Sequence, residues 1–213
     1  MEKAIIISFV VAYLLGSINT SVIVGKLKGV DIRKKGSGNA GMTNTLRVIG
    51  KGAAVFVFLF DFLKAIIGLI ASGFIAKAFV PEGGDVVEYC KYVAALGAVL
   101  GHNFPLYFGF KGGKGIVTSI AAIFYLDWRI GIIMATFCIL IMIITKYVSL
   151  GSVVGAIIYP IFVIAFNTDF SIPTVPYYLA MSVAFSFLAL YRHRANISRL
   201  LKGTESKLGQ KTE

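Results

Sequence analysis

Charge is scarce in this chain. Asp, Glu, Lys and Arg make up 15% of its 213 residues, against about 25% in an ordinary soluble domain. Acidic residues are the scarcest: 10 stand against 21 Lys and Arg, a formal net charge of +11. The only two cysteines, Cys90 and Cys138, both lie in apolar runs, which argues against a disulfide framework. Two histidines, His102 and His193, have no Cys or carboxylate partners at metal-ligand spacing. No internal repeat of the kind that builds inverted transporter halves is present, and no low-complexity segment. No small-residue cleavage site follows a basic leader, so the first apolar run, Ala4 to Val24, reads as a retained helix and not a signal peptide.

What fills the chain instead is apolar sequence. Apolar residues make up 57% of it, and the mean hydropathy is +0.83. Long uncharged runs recur from end to end, the pattern of an integral membrane protein with several spans. The length suits one membrane domain over 1–213, with no room for a sizeable soluble one. Seven apolar segments are expected, at 4–25, 53–80, 88–106, 115–126, 128–146, 149–167 and 175–191. The fold class is therefore all-α, a polytopic helical bundle of about seven transmembrane helices. The fourth segment is too short to cross unaided and is expected either tilted or as a half-helix walled in by its neighbours. Five spans plus a re-entrant piece is the alternative.

Basic residues set the orientation. Lys26, Lys28, Arg33, Lys34, Lys35, Arg47 and Lys51 follow the first segment. Lys111 and Lys114 follow the third, Lys146 the fifth, and Arg192, Arg194, Arg199, Lys202, Lys207 and Lys211 the last. This places the N-terminus outside and the C-terminus in the cytoplasm. Polar loops at about 26–52, 107–115 and 192–205 then share the cytoplasmic face, with 206–213 as a flexible tail.

Three polar stretches stand out against the apolar background. Gly36-Ser37-Gly38-Asn39-Ala40-Gly41-Met42-Thr43-Asn44-Thr45-Leu46-Arg47 combines flexible backbone, short donors and a guanidinium suited to phosphate. Phe110-Lys111-Gly112-Gly113-Lys114-Gly115 feeds a predicted helix from its N-terminal end, where unsatisfied N–H groups favour anions. It is not an ATP-binding Walker loop: Gly115 follows Lys114 where Ser or Thr is required, and Phe108 stands where the first glycine belongs. The third stretch, Tyr191 to Glu205, carries His193 and Asn196 one helical turn apart. It also reads as an amphipathic membrane-exit helix. Asp61 and Lys64 lie one turn apart inside the second apolar segment. There they read equally as a self-neutralising pair or as functional charges. Two function classes fit: a transferase acting on a phosphorylated lipid, or a carrier or flippase for a phosphorylated solute or lipid.

The residues carry a family resemblance. Gly-Ser-Gly-Asn-x-Gly-x-Thr-Asn-x-x-Arg at 36–47 is similar to the first motif of the bacterial membrane acyl-phosphate:glycerol-3-phosphate acyltransferases. Gly101-His102-x-Phe104-Pro105 with Phe110 to Gly115 resembles the second motif. His193-x-x-Asn196-Ile197-x-Arg199-Leu200-x-x-Gly203-Thr204-Glu205 resembles the third. The resemblance implies a multi-pass protein of the bacterial plasma membrane. It would transfer a fatty acyl group from acyl phosphate to the 1-hydroxyl of sn-glycerol 3-phosphate, the first acylation of phospholipid synthesis. It implies no coenzyme A, no acyl carrier protein, no cofactor and no metal, and it places glycerol phosphate on the glycine-lysine motif. The partners expected are the two substrates and membrane lipid, with no nucleic acid.

Residue chemistry agrees. Both substrates are anionic, so fixed positive charge must hold them together. Acyl phosphate is already activated, and the chain has no Gly-x-Ser-x-Gly elbow. The His-x-x-x-x-Asp of another acyltransferase family is also missing, since Tyr107 and Ser198 occupy the fifth positions after the two histidines. Ser37, Arg47, His193 and Asn196 are the expected catalytic residues. Gly38, Asn39, Thr43, Asn44, His102, Lys111, Gly112, Gly113, Lys114 and Gly115 are expected to bind substrate. The general base is His193 or a phosphate oxygen of the donor, and Glu205 is expected to pair a nearby arginine.

Overall fold

The computed structural model describes residues 1–210; of the expected tail, 211–213 lie outside the described residues. In lipid every backbone N–H and C=O must find a partner within its own segment, so apolar runs become helices. The described residues form nine α-helices and no strand: α1 (Glu2–Gly16), α2 (Thr20–Leu27), α3 (Met42–Val48), α4 (Lys51–Phe79), α5 (Asp85–Asn103), α6 (Ile116–Leu126), α7 (Trp128–Thr145), α8 (Val148–Phe166) and α9 (Val175–Leu201). Four stretches are long and apolar enough to cross a membrane: Glu2–Leu27, Lys51–Phe79, Trp128–Thr145 and Val148–Phe166. Large apolar side chains such as Phe56, Phe74, Ile144 and Phe187 face outward, while much of the interior is small or polar. That inversion of a soluble core fits a polytopic all-α membrane bundle.

The first apolar segment, expected as continuous over 4–25, is broken between α1 and α2. The break has a polar cause. Asn19 caps α2 by accepting from the Val22 N–H at 3.0 Å, and its amide donates to the Ala40 carbonyl at 3.3 Å. The Ile18 carbonyl freed by the break accepts from Lys64 Nζ at 2.7 Å. α6 has 11 residues, about 17 Å of helix against the ~30 Å of a hydrocarbon core. A single residue, Asp127, joins it to α7 and caps α7 by accepting from the Arg129 N–H at 3.0 Å. The stretch 192–205, grouped with the cytoplasmic loops but also read as an amphipathic helix, is helical as far as Leu201, and nothing interrupts α9 before Gly203. Likewise α3 sits inside the polar stretch 26–52.

α1 packs against α5 and α4. Its buried residues, Ala4, Ser8, Ala12 and Gly16, recur every fourth position and so form one face. Gly97 and Gly101 of α5 oppose that face, and a Cβ at Gly97 would stand 2.6 Å from the Phe9 carbonyl oxygen. Small residues let these helices meet backbone to backbone. The α6–α9 half is filled by larger side chains, Ile123, Ile130, Met134, Tyr159 and Phe185 among them. α5 also touches α9, which joins the halves and brings the three polar stretches to one end of the bundle.

Candidate active site

The first stretch is folded around Asn44. Its Oδ1 accepts from the Ser37 N–H at 2.8 Å, and its Nδ2 donates to the Ile32 and Lys35 carbonyls at 2.9 and 3.0 Å. The Asn44 side chain thus braces the loop, and the residue also lines the apolar cavity between α4, α6, α7 and α8, where substrate binding is expected of it. Thr45 adds a second brace, with Ser21 Oγ 2.8 Å away and the Gly41 carbonyl accepting at 3.1 Å. These braces leave Ser37, Asn39, Thr43 and Arg47 lining open space.

The second stretch turns sharply after Pro105, with Gly109 and Phe110 both in the left-handed region. Its glycines have two separate reasons. Gly115 stands at φ +78 just before α6, a conformation that side chains resist. A Cβ on Gly113 would overlap the His102 imidazole and lie 2.8 Å from the Ala40 carbonyl. The Gly113 N–H donates to the His102 carbonyl at 3.1 Å. Arg192 holds the loop from α9: its Nε and Nη2 donate to the Gly113 and Gly112 carbonyls at 3.0 and 2.9 Å.

The third stretch supplies a polar chain. Glu205 is buried, and its Oε1 accepts from Ser149 Oγ at 2.7 Å and Asn196 Nδ2 at 2.6 Å. Its Oε2 accepts from Arg199 Nε at 2.7 Å, the arginine pairing expected of it. A carboxylate only accepts, so it turns the Asn196 NH₂ toward itself and leaves Oδ1 for Lys114 Nζ. Burial alone would raise the Glu205 carboxyl, but the bonds from Ser149, Asn196 and Arg199 outweigh it and hold it below its ordinary value. Lys114 is pushed down to about 8 by burial and by the charges of Arg199, Arg192 and Arg47, against the pull of Glu205. His193 Nδ1 lies 2.8 Å from the Ala189 carbonyl. It donates there, which leaves the lone pair on Nε2.

Two cavities meet here. One, of about 570 Å³, is lined by six cationic side chains, Arg33, Lys34, Lys111, Lys114, Arg192 and Arg199, and by one carboxylate, Asp31. Asp31 is already paired with Arg33 at 3.3 Å. The second, of about 400 Å³, runs between α4, α6, α7 and α8 past Phe58, Phe62, Ile120, Phe124, Ile139 and Met142. Thr43, Arg47, His102, Gly115, His193 and Glu205 form its polar end. Ser37, Asn39, Lys114 and Asn196 line both. Gly38, Lys111 and Gly112 line the cationic cavity alone. Of the residues expected from the sequence, only Gly113 lines neither, because His102 and Ala40 fill the space where its side chain would be. Sequence reasoning missed Arg192, which read only as an orientation charge; its reach to the glycine carbonyls follows from α9 packing beside α5.

The surroundings match known proteins closely. The family model described as glycerol-3-phosphate acyltransferase matches residues 6–203. A glycerol-3-phosphate acyltransferase of Clostridioides difficile (strain 630) is 47% identical over 209 residues, covering 98% of this chain and 97% of that one. One from Shouchella clausii (strain KSM-K16) is 44% identical, covering 99% of each. The crystal structure of PlsY (YgiH), an integral membrane glycerol 3-phosphate acyltransferase, in its glycerol 3-phosphate form, superposes with a TM-score of 0.82 at 36% identity over 97% of this chain and 96% of that one. Motifs, fold and matches over nearly the whole length agree: the chain belongs to the glycerol-3-phosphate acyltransferase family.

Proposed function

We propose that this protein transfers a fatty acyl group from acyl phosphate to the 1-hydroxyl of sn-glycerol 3-phosphate, giving lysophosphatidic acid and inorganic phosphate. The observation that carries the reading is the junction of a cationic cavity with an apolar one across Ser37, Asn39, Lys114 and Asn196. A water-soluble phosphate ester and a lipid chain can enter from different sides and meet at that junction.

In this reading Lys111, Lys114 and the amides around Gly112 hold glycerol phosphate, with Gly38 and Asn39 closing over it. Ser37 and Arg47 hold the donor's phosphate, with Thr43 beside them, and the acyl chain lies in the groove between α4, α6, α7 and α8. The hydroxyl attacks the acyl carbonyl carbon, the new ester C–O bond forms, and the bond to phosphate breaks. The proton goes to His193 Nε2 or to the departing phosphate. Asn196, fixed by Glu205, orients the reactants. Catalysis is then positioning plus stabilisation of developing negative charge, with no covalent intermediate on the protein. His193→Gln separates the two bases: kcat kept within about threefold, with its pH profile unchanged, assigns the proton to phosphate.

In the same reading the chain crosses the membrane seven times, with the N-terminus outside and the site facing the cytoplasm. The distribution of Lys and Arg supports this. Thiol labelling of Lys34→Cys in a cysteine-free background should then require a permeabilised cell. The function is tested with purified protein, glycerol 3-phosphate and palmitoyl phosphate, following phosphate release, with palmitoyl-CoA as control donor. Release that depends on glycerol 3-phosphate is expected. Equal use of palmitoyl-CoA overturns the donor assignment, and solute movement without acyl transfer overturns the enzyme reading.

A further inference from the structure

Asp61 and Lys64 have no part in the chemistry above, yet both are buried within α4. A charge pair kept out of water is costly, so its hydrogen bonds call for a role. Asp61 Oδ1 accepts from Thr20 Oγ1 at 3.0 Å and from Lys64 Nζ at 2.7 Å. Lys64 Nζ also lies 2.7 Å from the Ile18 carbonyl and 3.1 Å from His102 Nδ1. An ammonium has three N–H bonds and no lone pair, and here it has three neighbours. With Asp61 beside it as counter-ion, all three must accept, so His102 Nδ1 offers its lone pair and the ring proton sits on Nε2.

The far side of the ring is where that proton matters. His102 lines the apolar cavity. Its Nε2 lies where a Gly113 side chain would be, and the Ala40 carbonyl lies 2.8 Å from that same point. The first and second polar stretches meet there. Without Lys64 the preference would reverse, because Asp61 Oδ1 is 3.8 Å from His102 Nδ1 and would draw a proton to it.

We infer that the Asp61–Lys64 pair locks the tautomer of His102, holding its proton on Nε2 as a hydrogen-bond donor to an oxygen of the acyl donor at the junction of the two loops. His102 is then the residue that touches substrate, and Asp61 and Lys64 are positioning residues. The last step rests on the acyl-transfer reading; the tautomer does not.

Two histidines in the chain make the test direct. Protein labelled with ¹⁵N-histidine in detergent shows two imidazoles, and His193→Gln assigns them. Wild-type His102 is expected as the neutral Nε2–H form, with a hydrogen-bonded lone pair on Nδ1. An Nδ1–H form or an imidazolium in wild type overturns the lock, and this readout needs no variant of α4 to fold. Lys64→Met is expected to move the proton to Nδ1 and to lower kcat at least about tenfold, with KM for glycerol 3-phosphate held within about twofold. Adding Asp61→Asn to Lys64→Met supplies an amide donor to Nδ1. It should restore the Nε2–H form and most of kcat, which a merely structural pair would not do. Lys64→Met that loses kcat with the tautomer unchanged refutes the proposal. If wild-type protein releases no phosphate from palmitoyl phosphate, the functional reading fails while the spectrum still decides the tautomer.

Discussion

Helices α1, α4 and α5 meet through Ala12, Ala65, Ala94 and Ala98, whereas α6 to α9 meet through Tyr159, Met134, Phe185 and Ile130. In the first half small residues bring the backbones of α1 and α5 into close approach. In the second, large side chains pack, and the apolar groove runs between this half and α4. The first two polar stretches are tied to the tight half through Asn19, just after α1, and His102 of α5. Two phosphates need fixed partners and so rigid supports. A fatty chain needs only apolar area, which a looser set of walls supplies.

The contrast breaks most severely in the tight half. Gly101→Val puts side-chain atoms on the backbone of Tyr13, and even a Cβ would stand 2.9 Å from Ser17 N. The expected cost is about 3 kcal/mol or more, seen as loss of monodisperse protein in size-exclusion chromatography. Ile123→Val in the other half is expected to cost only about 1 kcal/mol and to remain folded.

Next in size is a loss of charge at the junction. Lys114→Ala is expected to raise KM for glycerol 3-phosphate about a hundredfold, since a charge-assisted contact to phosphate is lost. Steady-state kinetics with palmitoyl phosphate in excess measures it, and an unchanged KM removes Lys114 from the phosphate site.

A smaller effect follows from the Lys114 pKa of about 8. Binding an anion requires the protonated amine, which is the main form below that value and is lost above it. KM for glycerol 3-phosphate should be flat below pH 8 and then rise, by up to about tenfold per pH unit. Lys114→Arg, which keeps its charge, should flatten the rise.

The smallest effect belongs to the groove. Met142→Ala removes one wall contact among many and is expected to change the ratio of palmitoyl to lauroyl phosphate turnover by less than about fivefold. A large change would mean that the apolar wall is as exacting as the cationic cavity.

Particular residues show how far the sequence could be read. The apolar runs marked out the helices, and every site residue named from the three motifs except Gly113 lines a cavity, although the apolar walls at Phe58, Phe62, Ile139 and Met142 lie outside the motifs. The break at Ser17–Asn19 was hidden because the surrounding run is apolar enough to pass for one helix. The bracing role of Asn44 was not legible, because an asparagine in a glycine-rich loop has the same chemistry whether it binds substrate or braces its neighbours. Arg192 looked like an orientation charge for a similar reason.

By itself the amino-acid order determined that this chain lies in a membrane, that it is helical, and which polar stretches interrupt the oil. Hydropathy and residue type are local properties, and lipid leaves few backbone solutions. Only the tertiary structure decided that Lys114 reaches Asn196, that Glu205 turns Asn196 toward it, and that Lys64 faces His102. The first and last of these join residues 82 and 38 positions apart, and the second needs the chain to fold back after α9; all depend on how the helices approach, a distance no single segment encodes.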